Sequence, residues 1–415
     1  MADRGKYTLI FYLFFTLTFV VIFFELINAI TFKNVLLHDS LGLEDSPALE
    51  QMAKAKRTEY MNSQSKGSGN RIITVFVDMI KTIFLIFLSL MFLNGTIRNM
   101  VMKISQKNIS LIRTDFRELK KSEINYLCLF INLYILNKII LYIITNDDIS
   151  HIFIFKLGLI SLTCYFLFIP LIIYLSYILL QYFGKKIIIA CYLAYIIKII
   201  PDVFINDEVN LEKMEQVDIK SFPDDIQHLL NKYHLEESVF KEIEPGTEKN
   251  AALIGYGKGA RMEIYGDFEI TDKDELFSVF LHEIGHAKEN TLLRKTLVYI
   301  SLLILELCVV LFIYEIISRK YVSQALSVFT SFIALLLIYR MVLRQWLIMF
   351  YKVVSQQSEI NSDMFAKEHH YGNELATALF NIVLESNDFL KPTMIYNFFR
   401  SGHPAISTRI EYLTE

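Results

Sequence analysis

The chain has 415 residues, 53% of them hydrophobic, and a formal net charge of −3. Soluble proteins of this size are about 45–50% apolar, so the surplus excludes an ordinary soluble domain. The balanced charge, with no basic stripe interleaved with aromatics, excludes nucleic acid as a partner.

The apolar surplus is gathered into runs long enough to cross a ~30 Å hydrocarbon core as helices. They are residues 7–30, 72–94, 124–145, 152–176, 180–200, 296–317 and 327–349. The first is too long for a signal h-region of ~7–15 residues, and no small-x-small cleavage site follows, so it is expected to be a retained span. The stretch 152–200 is punctuated only by Pro170 and Gly184-Lys185-Lys186, and reads as one kinked helix or two. Cys128, Cys164, Cys191 and Cys308 all lie inside apolar runs without paired spacing, which excludes a disulfide framework or a thiolate metal site.

Several spans carry charge. Glu25, Lys81, Lys156 and Lys198 lie near span ends, where they either snorkel or meet a partner. Lys138, Glu306 and Arg340 sit deeper and point to a protein-lined or water-filled interior. The loops after the first and second spans are both basic, so the positive-inside rule leaves the orientation open.

The chain therefore divides into an N-terminal region of about five spans (1–200), a polar region (201–295), a transmembrane hairpin (296–349) and a C-terminal helical region (350–415). In the polar region, Ser221-Phe222-Pro223 predicts a helix start with Ser221 as N-cap. Two strand-like runs, 250–256 and 261–268, joined through Gly257-Lys258-Gly259, predict a β-hairpin. Thr271-Asp272-Lys273-Asp274 resembles a capping box opening the next helix.

That helix contains His282-Glu283-Ile284-Gly285-His286. Residues four apart share a helix face, so both imidazoles can reach one ion, while Glu283 is angled to act as general base on a water. A catalytic zinc needs a third protein ligand and an open position. Glu359, one turn from Asp363, is the best candidate, with Asp363 able to hydrogen-bond a ligating imidazole. Alone, such a Glu–Asp pair is ordinary. It gains weight because the last two spans form a hairpin that returns the chain to the same side of the membrane. His403-Pro404 with Arg409 reads either as a surface turn or as a group that stabilises an oxyanion. His228 and His234 are expected at the surface, and His369-His370 at the end of a solvated helix.

The order of five spans, HEIGH, a two-span hairpin, SExxSDxFA and a late HPxxxxR resembles the type 1 CAAX prenyl proteases, the farnesylated-protein-converting enzyme 1 family. The resemblance covers nearly the whole chain in layout and is sharpest over 250–286 and 355–409. It implies an α-helical integral membrane protein of about seven transmembrane helices enclosing a chamber, with a zincin-like domain carrying a short β-hairpin. It implies one Zn2+ per chain on His282, His286 and Glu359, with Glu283 as base and Asp363 behind a ligand. His403 and Arg409 would contact the scissile peptide, and Asn250 and Ala251 would begin the edge strand that binds substrate. The implied activity is removal of the C-terminal tripeptide from farnesylated CaaX proteins, in the endoplasmic reticulum membrane or the inner nuclear membrane. The chain departs from the family's usual pattern at Gln356, where Arg is common, and at Ser362, where Ala is common. The acidic Gly-Phe-Asn signature expected around the fourth span is missing.

Two alternatives stay open: a membrane quality-control zinc protease, and a non-catalytic multi-span zinc-binding protein. The first has only two spans before its motif, against four or five here, and the second has no need of Glu283. A site-2 type protease is set aside, because no Asp-Gly dipeptide occurs in the chain.

Overall fold

In the computed structural model the described residues are all but 1, 108–119, 146–159, 161–162, 164–167, 205–212, 245–249, 256, 267–272 and 321–326. They are mostly helical and group into two interleaved units. One comprises residues 1–23, 74–194 and 303–347, the other 24–73, 195–302 and 348–415.

Four described helices are long and apolar enough to cross a membrane: Leu9–Leu37, Arg57–Met91, Thr291–Ser318 and Val328–Glu368. They coincide with the first, second, sixth and seventh expected spans. The third corresponds to the helix Lys121–Thr145. Most of 152–168 lies outside the described residues, as does the capping box at Thr271-Asp272. Beyond it, Ile169–Phe183 and Lys185–Phe204 are separate helices. They are parted by Gly184 at φ 54°, a backbone conformation that a residue without a Cβ adopts freely.

In the first unit, Glu123 fixes the start of the last long helix. Its Oε2 accepts from the Ser327 N–H at 2.9 Å and from the hydroxyls of Ser327 and Thr330 at 2.6 Å each. Ser327 is itself the N-cap of Val328–Ile338. A one-turn π-helix, Tyr339–Leu343, follows and delivers Arg344 to Glu306 at 3.2 Å. Glu306 is buried, as expected for a charge so deep in a span, whereas Arg340 is exposed on its helix. The side chain of Lys138 is outside the described ones.

The second unit holds a core of helices packed on a four-stranded sheet of order β1-β2-β4-β3. The strands are β1 (Met214–Gln216), β2 (Val239–Glu242), β3 (Asn250–Ile254) and β4 (Arg261–Tyr265). The expected hairpin is β3–β4, antiparallel, with Ala251 opposite Ile264. β1 and β2 escaped sequence reading. They are three and four residues long, too short to display a period of two, and β2 joins β4 in parallel. The helix expected at Ser221 begins at Asp224, because Pro223 takes the N-cap position and Ser221 ends a preceding 3-10 turn.

Glu25 of the first long helix does not snorkel. It is fully buried, its Oε2 accepts from the N–H and hydroxyl of Thr393 at 2.7 and 2.6 Å, and Arg71 stands 3.7 Å from Oε1. Thr393 is the N-cap of the helix Met394–Arg400, which leads into His403.

Candidate metal centre

Residues of helices, of the edge strand β3 and of the loop that carries His403, all in the second unit, contribute to the centre. The helix Lys273–Lys288 carries His282 and His286 on one face, with ring centroids 4.7 Å apart. Its Gly285 lets it lie against the helix Arg344–Glu368, since a Cβ there would come within 2.8 Å of the Ser362 Cα. That close crossing sets Glu359 and Asp363 against the imidazoles. Glu359 Oε2 is 3.6 Å from His282 Nε2, and its Oε1 is 3.5 Å from His286 Nε2.

Those separations are long for hydrogen bonds. They suit a shared ion, because ligands about 2.1 Å from a tetrahedral zinc stand about 3.4 Å from one another. The donor set of two imidazoles and one carboxylate is also that of a catalytic zinc site. The other ring nitrogens have partners that orient the rings. His282 Nδ1 lies 2.8 Å from Asp363 Oδ1. His286 Nδ1 lies 2.8 Å from Ser362 Oγ and 3.3 Å from Thr291 Oγ1. Burial pulls the His282 imidazolium down, but Asp363 and Glu359 outweigh it and raise its pKa to about 9. Burial pushes His286 down to about 3, which keeps it in the neutral, ligating form.

Glu283 lies with both histidines, one ligand atom of each of the three within 4.8 Å of the others, and its Oε2 accepts from the Leu253 N–H of β3 at 2.9 Å. Burial raises its carboxyl above the usual range, opposed by the charge on His282 and by that N–H. Because β3 is an edge of the sheet, Glu283 sits at a strand to which an extended peptide could add. Asn250 and Ala251 occupy the start of that strand, and the side chain of Asn250 is outside the described ones.

The C-terminal residues reach the same carboxylates by different routes. His403, largely exposed, places Nδ1 3.1 Å from Glu359 Oε2. Arg409 is buried. Its Nε and one terminal nitrogen form a fork on Asp363 at 2.8 and 2.7 Å, and its other terminal nitrogen lies 3.7 Å from Glu359. This is a bidentate clamp of the kind that fixes a carboxylate in one orientation, and here that carboxylate orients His282.

Sequence reading missed three contributors. Lys295 brings its ammonium within 3.6 Å of Glu359 Oε1. Ser362 supports His286, although it appears in the sequence only as a departure from a family pattern. Gln356 donates to the carbonyls of Asn397 and Ser401, at 3.3 and 3.1 Å, and so holds the loop that carries His403. None has a spacing signal of its own. Only Gln356 and Ser362 lay inside a segment already singled out.

Residues 224–415 match the profile of Peptidase family M48. The crystal structure of S. mikatae Ste24p is similar to this chain at TM-score 0.55 and 16% sequence identity, covering 95% of this chain and 98% of that one. At that identity the likeness shows the fold. No curated protein matches the sequence.

Proposed function

We propose that this chain, a membrane metalloprotease whose residues 224–415 match peptidase family M48, removes the C-terminal tripeptide from farnesylated CaaX proteins. The catalytic part of the reading is supported by one observation: Glu283 lies between the two histidines in sequence and accepts a hydrogen bond from Leu253 of the edge strand in space. The CaaX part is supported by the layout of spans, motif, hairpin and late HPxxxxR, together with the Ste24p-like fold. An address in the endoplasmic reticulum or inner nuclear membrane rests on the same resemblance.

Zinc is the metal the donor set fits, held by His282, His286 and Glu359; when bound, it supplies Lewis acidity and makes a water acidic enough to lose a proton near neutral pH. Glu283 would serve as the general base that accepts a proton from the attacking water and would return it to the leaving amine. Substrate lies along β3 through backbone hydrogen bonds that begin at Asn250 and Ala251. His403 stabilises the oxyanion of the tetrahedral intermediate in this reading. Arg409 acts through Asp363, keeping His282 in the ligating tautomer.

The test is release of the C-terminal tripeptide from a farnesylated CaaX peptide by the detergent-purified protein, with Glu283→Ala beside wild type. The expected result is cleavage by wild type and none by the variant, both holding about one zinc per chain, since the base is not a ligand. Wild type that held zinc and ignored prenylated peptides while cutting unfolded membrane proteins would move the reading to quality control. Absence of zinc from both would overturn the ligand assignment.

A further inference from the structure

A cavity of about 370 Å³ opens beside the base, and its charge does not match a purely apolar substrate. One wall carries Glu283 and His286. The sheet contributes Leu253 and the glycines just beyond the end of β3, and Asn290, Thr291 and Lys295 also line it, Thr291 lying 3.3 Å from His286 Nδ1. Lys232 and His234 complete the lining, so lysines outnumber carboxylates there: Glu283 is the one acidic residue lining it among the described residues.

Lys295 is the cation most deeply placed. Its side chain is 20% exposed, and its neighbour is Glu359, whose oxygens also face two imidazoles, His403 and Arg409. A carboxylate shared that widely, and itself a metal ligand in the reading above, leaves much of the lysine's charge unanswered. The nearby acid Glu289 does not supply the balance, because Asn361 donates to it at 2.7 Å and Arg294 lies 3.7 Å away. Lys232, at the rim, has its ammonium 5.6 Å from the centroid of the Tyr233 ring, a contact that leaves its charge uncancelled.

We infer that this cavity is a carboxylate-binding subsite, with Lys295 as the specificity-determining residue and Lys232 as an auxiliary cation. The inference rests on the peptidase reading only in placing the peptide along β3. Glu283 and the cavity share a wall, so the group that enters belongs to one of the first three residues on one side of the scissile bond. A strand rises about 3.4 Å per residue, so the direction in which the peptide runs decides which end of it reaches the cavity. A peptide antiparallel to β3 brings an acidic side chain from the N-terminal side of the cut. A parallel one brings the free C-terminal carboxylate.

Binding tests this without requiring turnover. The full-length, zinc-loaded protein carrying Glu283→Gln is titrated in detergent with labelled peptides in matched pairs: Glu against Gln flanking the cut, and C-terminal acid against C-terminal amide. One member of a pair carrying the charge should bind on the order of tenfold more tightly, the yield of one partly buried ion pair. That preference should fall to about twofold or less with Lys295→Met and return with Lys295→Arg, zinc content being unchanged. Preference in the Glu/Gln pair identifies a side chain as the source, and preference in the acid/amide pair identifies the terminus. If Lys295→Met loses zinc, Lys232→Met replaces it, with a smaller but measurable loss of preference expected. Equal binding of charged and neutral peptides, or a preference that survives both substitutions, overturns the inference. Charge-dependent binding alongside a wild type that cuts nothing would retain the subsite and remove the peptidase reading.

Discussion

Glu123 and Glu306 of one unit and Glu359 of the other are buried carboxylates answered in opposite ways. Glu25 of the second unit is answered much as Glu123 is, by a backbone N–H and a hydroxyl. In the unit of residues 1–23, 74–194 and 303–347, Glu123 is answered by one backbone N–H and two hydroxyls, and Glu306 by Arg344. In the other unit, Glu359 has the side chains of His282, His286, Lys295, His403 and Arg409 within 3.7 Å of its oxygens. The first arrangement is a fastener: neutral donors or a single cation satisfy one acid and pin one helix. The second is a surplus of positive and ligating groups around one acid. Such a surplus of cations costs stability unless a further anion answers it.

If that contrast is right, the largest loss should follow from Asp363→Ala. The change strands Arg409, which is buried and forked onto Asp363, and frees the ring of His282. Breaking a buried pair by removing one partner costs about 3–5 kcal/mol. Loss of a group that orients a metal ligand lowers metal affinity about 10–100-fold. Thermal unfolding and zinc titration should show both effects together. Unchanged stability and affinity would mean that Arg409 and Asp363 are only neighbours of the centre.

An intermediate effect is expected of Gln356→Ala. It removes the donor that ties the carbonyls of Asn397 and Ser401 to the helix bearing Glu359, and with it the support of the His403 loop. Small displacements of a transition-state group are expensive, so kcat/KM should fall about tenfold with KM nearly constant. Zinc content should stay near that of wild type. A fall in zinc instead would place Gln356 in the metal scaffold and blur the division between holding the ion and stabilising the oxyanion.

How much of this was readable beforehand depended on whether a contact is local. His282 and His286 declare themselves because four residues make one helical turn, and the motif needs no tertiary knowledge. The long spans declare themselves because lipid demands length and apolarity together. Glu359 was reachable through its turn-mate Asp363 and the intervening hairpin. Lys295 was not reachable: it lies in a helix whose sequence reads as a span, and its relation to Glu359 exists only after two distant segments are packed. Glu25 was ambiguous for the same reason, since only Thr393, 368 positions away, distinguishes a buried cap from a snorkelling end. The burial of Arg409 was likewise hidden, because HPxxxxR records the spacing of two residues and not which one meets solvent.

The smallest effect should come from the fastener. Glu123→Gln keeps an acceptor for the Ser327 N–H and its neighbouring hydroxyls but removes the charge that strengthens those bonds. A hydrogen bond to a charged group contributes about 1.5–3 kcal/mol against about 1 for a neutral one, so the difference is about 1 kcal/mol. Glu123 is also distinct from the metal centre in kind: its donors are hydroxyls and an amide, none of which binds zinc. The variant should therefore unfold at a slightly lower temperature, with zinc content and cleavage of a farnesylated peptide unchanged. Lost zinc in Glu123→Gln would show that the N-cap of Val328–Ile338 governs the position of Glu359 further along the same span, and the fastener would then belong to the site.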